Sequence, residues 1–194
     1  MYNIPHGTKS SLYIFLLFSQ TYENILDFWF GSKSSRDYLR QKSFWYGSPA
    51  DDAYVRENLS ETYQAAKNGY LYAWIRAGEG EGALALNLLL DQVPRNIIRG
   101  APQAYATDHK AVSVARYAID RKWDKKLPDI QKRCMYSPFK HSENIDDQEL
   151  SPKIHSSSRL TQGLIITSLD ALSTSPATIA PLVNLTLLSF SLMA

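Results

Sequence analysis

Ala83-Leu-Ala-Leu-Asn-Leu-Leu-Leu-Asp-Gln-Val-Pro-Arg-Asn-Ile-Ile-Arg-Gly100 is the stretch on which the fold turns. From Ala83 to Leu90 only Asn87 is polar, and a helix that is apolar on nearly all sides belongs in the centre of a core. The run then meets Pro94, which has no N–H for the carbonyl of Leu90 and crowds it. That carbonyl needs another donor, and Gln92, Arg95 and Asn96 are the nearby side chains able to supply one. Asp91 and Arg95 have the spacing of a helical ion pair. Gly100 suits the left-handed residue that closes a helix.

Helix punctuation continues on both sides. Ser48-Pro49-Ala50-Asp51 reads as a start, with Ser as N-cap, Pro at the first position and Asp in the positive first turn. Ala53, Leu59, Thr62, Tyr63 and Ala66 follow at spacings near three and four, and Gly69 is placed to end the helix. A short helix over 71–75 stops at Gly78-Glu-Gly80. Asp108 is placed to cap a helix from His109 to about Arg121, with Ala111, Val114, Ala115, Ala118 and Ile119 inward. Pro128 opens another, which is expected to break at Ser137-Pro138, and Ser142 is placed to cap one more. No run alternates with period two between hairpin turns. The fold class expected is all-α, an array of antiparallel helix pairs, tetratricopeptide-like, although no clean 34-residue period supports the repeat.

Composition narrows the function classes. The chain has 194 residues, with 21 Lys plus Arg against 19 Asp plus Glu. A net charge of +2 argues against binding nucleic acid through bulk charge. Residues 21–150 hold 18 Lys/Arg and 18 Asp/Glu, so the charged groups concentrate in one domain. The expected organisation is a leader over 1–20, a helical domain over 21–150, and an atypical Ser/Leu-rich tail over 151–194. The seven-residue run from Leu12 to Phe18 is too short to span a bilayer and lacks a cleavage site after it. Residues 177–194 are uncharged, but Pro181 and Asn184 weaken a membrane helix, and a non-native tail is the preferred reading. The single cysteine, Cys134, cannot form an internal disulfide. The expectation is a cytoplasmic protein with no metal, no cofactor, no nucleic-acid partner and no membrane partner.

Two segments concentrate polar chemistry. In the first, Asp91, Gln92, Arg95, Asn96 and Arg99 either satisfy a proline-interrupted helix and lock its neighbours, or present Arg95 and Arg99 as forks to an anionic ligand. In the second, His141-Ser142-Glu143 precedes Asp146 and Asp147. It is either a capped helix start or a source of acid–base groups. Neighbouring residues on a helix do not share a face, so His141 and Glu143 converge only across a non-helical turn. This turn is expected to pack beside Asp91 and Arg95, because a proline-interrupted core helix needs polar partners. No phosphate loop, nucleophile elbow or metalloprotease helix is present.

Ile25-Leu-Asp-Phe-Trp-Phe-Gly31, Phe44-Trp-Tyr46, Leu88-Leu-Leu-Asp-Gln-Val-Pro-Arg-Asn-Ile-Ile-Arg-Gly100, Ala106-Thr-Asp108 and Pro138-Phe-Lys-His-Ser-Glu143 occur in that order. Together they resemble the uncharacterised family catalogued as domain of unknown function 924. The resemblance covers about residues 21–150. It implies an all-helical, tetratricopeptide-like fold and brings no established reaction, substrate or cofactor. It also implies further helices after the His-Ser-Glu segment, so the chain is expected to lack the family's C-terminal part. Two functions follow as expectations. One is a scaffold that binds a peptide or small anionic ligand around Asp91 and Arg95. The other is a hydrolase-type enzyme using His141 with Glu143 or Asp91, with Arg95 orienting an anionic substrate.

Overall fold

The computed structural model describes residues 20–148, which form five α-helices joined by turns and 3-10 segments. No strand occurs among the described residues. The fold is all-α, as the sequence indicates. The apolar runs at 12–18 and 177–194 lie outside the described residues. No helix among the described residues is long and apolar enough to cross a membrane.

Helix α1, Tyr22–Phe30, starts at a capping box in which Thr21 and Asn24 satisfy each other's backbone N–H groups. It buries Ile25, Leu26, Trp29 and Phe30. Trp29 packs edge-on against Phe44 and Trp45 against Phe30, so both indoles serve packing. Helix α2, Pro49–Lys67, begins at the expected cap, where Ser48 Oγ accepts from the N–H of Asp51. Its inward face is Asp52, Val55, Leu59, Thr62, Tyr63, Ala65 and Ala66. Asp52, rather than Ala53, therefore shares the core side. Gly69 closes the helix with a φ of 85°.

Helix α3, Glu81–Ile97, is the centre. Every residue from Gly82 to Asp91 is buried, and the helix touches all four of the others. Its entry is tight: a Cβ on Gly82 would lie 2.2 Å from the carbonyl oxygen of Trp74 in the preceding 3-10 segment, Tyr72–Gly80. Helices α4, Asp108–Asp120, and α5, Asp129–His141, complete the bundle against α3.

Two expectations are corrected by the same physics. The carbonyl of Leu90, deprived of a donor by Pro94, is served by the Thr107 hydroxyl at 2.6 Å, and not by Gln92, Arg95 or Asn96. The break expected at Ser137-Pro138 does not occur, because Pro138 lies inside α5. The carbonyl it leaves open is that of Cys134, which accepts from Asn87 Nδ2 at 2.8 Å and from Ser137 Oγ at 2.9 Å. A proline is tolerated within a helix when a side chain replaces the lost donor. Asp108, expected as a cap, is the first helical residue of α4, and its carboxylate turns to Arg95 instead. Ser142 does not begin the final turn either. Asn144 does, since its carbonyl accepts from Asp147 and its side chain from the N–H of Asp146.

Candidate functional site

Asp91 lies on the face of α3 that meets α5, one turn after Asn87. Its side chain is 0% exposed. One carboxylate oxygen takes His141 Nδ1 at 2.7 Å and Arg95 Nη1 at 3.2 Å. The other takes Ser137 Oγ at 2.6 Å and Gln92 Nε2 at 2.5 Å. Three hydrogen bonds and one ion pair thus meet the two carboxylate oxygens. Burial pushes the Asp91 carboxyl up, but His141, Arg95 and Ser137 outweigh it and bring the group down to about 2. Asp91 is therefore ionised and accepts only, so Nδ1 of His141 carries a hydrogen. The other ring nitrogen, Nε2, has no hydrogen-bond partner among the described residues, and the His141 side chain is 17% exposed.

Arg95 is 8% exposed. Its guanidinium forks onto Asp108 at 3.0 and 2.8 Å, reaches the Asp91 carbonyl at 2.6 Å, and lies over the Tyr105 ring. Burial alone would lower its basicity, yet Asp91 and Asp108 raise it. Arg95 thus ties α3 to the start of α4, with both Nη groups turned to protein oxygens.

Asn96 and Arg99 belong to a separate cluster around Asp52 of α2. Arg99 meets both oxygens of Asp52 at 2.6 and 2.9 Å. Asn96 Nδ2 donates to Asp52 and to the carbonyl of Phe44. Burial raises the Asp52 carboxyl, but Arg99 and Asn96 take it below its ordinary value. Arg99 is accordingly a strap between α2 and α3.

Of the second segment, the structure brings only His141 to Asp91. Ser142 Oγ donates to Asp147, which is buried and also holds Arg116. Glu143 is exposed and forms no ion pair among the described residues. Sequence reasoning missed Ser137, Thr107, Asp108, Asp52 and Asn87. Asp52 had a signal, since it sits three and seven residues before Val55 and Leu59 on the apolar stripe. No group of three His, Cys, Asp or Glu among the described residues forms a metal site.

Chemically, the arrangement is a buried carboxylate that fixes the orientation and tautomer of one partly exposed imidazole. A solved structure similar to this chain is that of a protein of unknown function from Agrobacterium tumefaciens. The two are 32% identical with a TM-score of 0.59, over 70% of this chain and 72% of that one. No curated protein matches. A family model described as bacterial protein of unknown function matches residues 25–165, which takes in every cluster above, so the chain belongs to the domain of unknown function 924 family.

Proposed function

We propose that the domain is a helical binding scaffold of the tetratricopeptide-like kind, and that it recognises a peptide or small anionic ligand through the outer edge of His141. One observation supports this reading above the others. Asp91 is wholly buried, its four contacts all hold it against His141 and its neighbours, and the imidazole still presents Nε2 without a described partner. Arg95 and Arg99 enter this reading as supports, because their ion pairs with Asp108 and Asp52 tie α3 to its neighbours.

The test is a thermal-shift comparison of the 194-residue chain with its His141→Gln variant. The probes are short acidic peptides and small carboxylates and phosphates, since binding to the native state raises the melting temperature by mass action. Compounds that stabilise the wild type and not the variant support the reading. Binders that stabilise both equally overturn it.

A hydrolytic second reading is favoured by the same 2.7 Å contact, because a carboxylate behind Nδ1 leaves Nε2 as a proton acceptor toward water. Its signature is ester cleavage that follows a single ionisation and disappears in His141→Gln. Equal cleavage by wild type and variant excludes it.

A further inference from the structure

We propose that Arg56 of α2 and Arg99, just after α3, form a binding site for a phosphate group. The site lies apart from His141 and does not rest on the reading given above. Both arginines are fixed by contacts between the same two helices. Arg99 reaches α2, where its Nε and Nη2 meet the two oxygens of Asp52 at 2.6 and 2.9 Å. Arg56 reaches the end of α3, where its Nε meets the carbonyl of Ile97 at 3.1 Å. Asp52 and Arg56 are about one turn apart on α2, and Ile97 and Arg99 are neighbours but one. The two guanidiniums therefore cross the same short stretch of the boundary between α2 and α3.

Their donors are only partly used. The dipole of α3 favours cations at this end, yet the Ile97 carbonyl and Asp52 occupy only three of the six guanidinium nitrogens. Both Nη groups of Arg56 and Nη1 of Arg99 have no partner among the described residues. Asp52 is already met by Arg99 and by Asn96 Nδ2. The carbonyl that Arg56 meets carries no net charge, and Arg56 forms no ion pair among the described residues. Burial raises the Asp52 carboxyl, while Arg99, Asn96 and Arg56 bring it down, so both cations act on one acid. One carboxylate between two guanidiniums leaves a positive charge in excess. The place is also built and open. A Cβ on Gly47 would fall 1.9 Å from Arg99 Nη2, so that turn is shaped around the guanidinium. A Cβ on Gly100 would meet nothing within 4 Å, the Arg99 side chain is 40% exposed, and Arg56 is exposed as well. Planar forks with three unused nitrogens suit a group that carries several acceptor oxygens, as phosphate does.

The experiment titrates the full chain with potassium phosphate against potassium chloride at matched ionic strength, following backbone amide shifts. The expected result is a saturable response around Arg56 and at residues 97–100. Affinity should fall about tenfold in Arg56→Gln, as expected when charge-assisted contacts are lost. Lys125→Gln/Lys126→Gln, on the basic turn before α5, should bind phosphate like the wild type. An absent wild-type response, or one spread over both basic regions, overturns the site. So does equal affinity in Arg56→Gln, or an equal affinity of the wild type for acetate. If Arg56→Gln fails to fold by circular dichroism, the wild-type shift map decides by itself. His141→Gln separates this site from the earlier reading. Phosphate shifts at residues 97–100 that persist in that variant support the arginine site, whatever becomes of His141. Shifts that vanish with His141 overturn it.

Discussion

Replacing Thr107 by valine tests the central structural claim, that a proline in α3 is supported by a hydroxyl from outside the helix. Thr107 is 1% exposed, and its Oγ1 is 2.6 Å from the Leu90 carbonyl. Valine keeps nearly the same shape and removes the donor. A buried carbonyl left without a partner costs about 1–3 kcal/mol, and nothing else is placed to serve this one. The effect separates from general packing loss in a Pro94→Ala background. Alanine at 94 restores the N–H that an ordinary helix aims at the carbonyl four residues earlier, here that of Leu90. Thr107→Val should then cost much less, with a coupling of about 1–2 kcal/mol between the two sites. Urea unfolding followed by tryptophan fluorescence reads all four stabilities from midpoint and slope. A Thr107→Val loss below about 0.5 kcal/mol, or an equal loss in both backgrounds, refutes the reasoning.

Arg95→Lys keeps the charge but cannot fork onto Asp108 while reaching the Asp91 carbonyl, so stability should drop by about 2–4 kcal/mol; unchanged urea midpoints would return Arg95 to the ligand-binding candidates. Asp91 lies below its ordinary 3.8 in the fold, at about 2. Its contribution, about 2 kcal/mol, is therefore whole above roughly pH 4 and is lost as the pH falls toward 2. Urea midpoints between pH 5 and 2 should show that decline in the wild type and a flatter one in Asp91→Asn. Gly82→Ala places a Cβ 2.2 Å from a backbone oxygen, Trp74 O, and should destabilise by about 1–3 kcal/mol, as thermal melts will show. Leu88→Ala, at a wholly buried position, should cost about 2–5 kcal/mol in the same melts.

The helical class, the centrality of α3 and the Asp91–Arg95 contact were legible because each depends on spacing within one element. The cap at Ser48 was legible for the same reason. What escaped was everything decided between elements. Pro138 reads as a stop in isolation, and Asn87, far away in sequence, helps make it tolerable by donating to the carbonyl it leaves open. Arg95 reads as a free fork until Asp108 arrives from α4. Glu143 and His141 look equivalent in sequence, yet the helix runs to His141 and ends at Ser142, so only His141 keeps the register that faces α3. Asp52 was passed over beside Asp51, although its position on the apolar stripe marked it as inward.

The two helix-embedded prolines impose an order of dependence on the chain. Helix α3 is completed by a hydroxyl from the residue just before α4, and α5 is completed in part by an amide from α3. Helix α3 takes the donor for its Leu90 carbonyl from outside itself, and α5 adds an amide of α3 to its own Ser137 hydroxyl, so docking finishes each. Partial structures that keep α3 without Thr107 carry an open carbonyl in an apolar setting and are penalised for it. Such mutual completion leaves few stable stopping points between the extended chain and the packed bundle. The same two residues, Thr107 and Asn87, therefore make the centre of this domain cooperative.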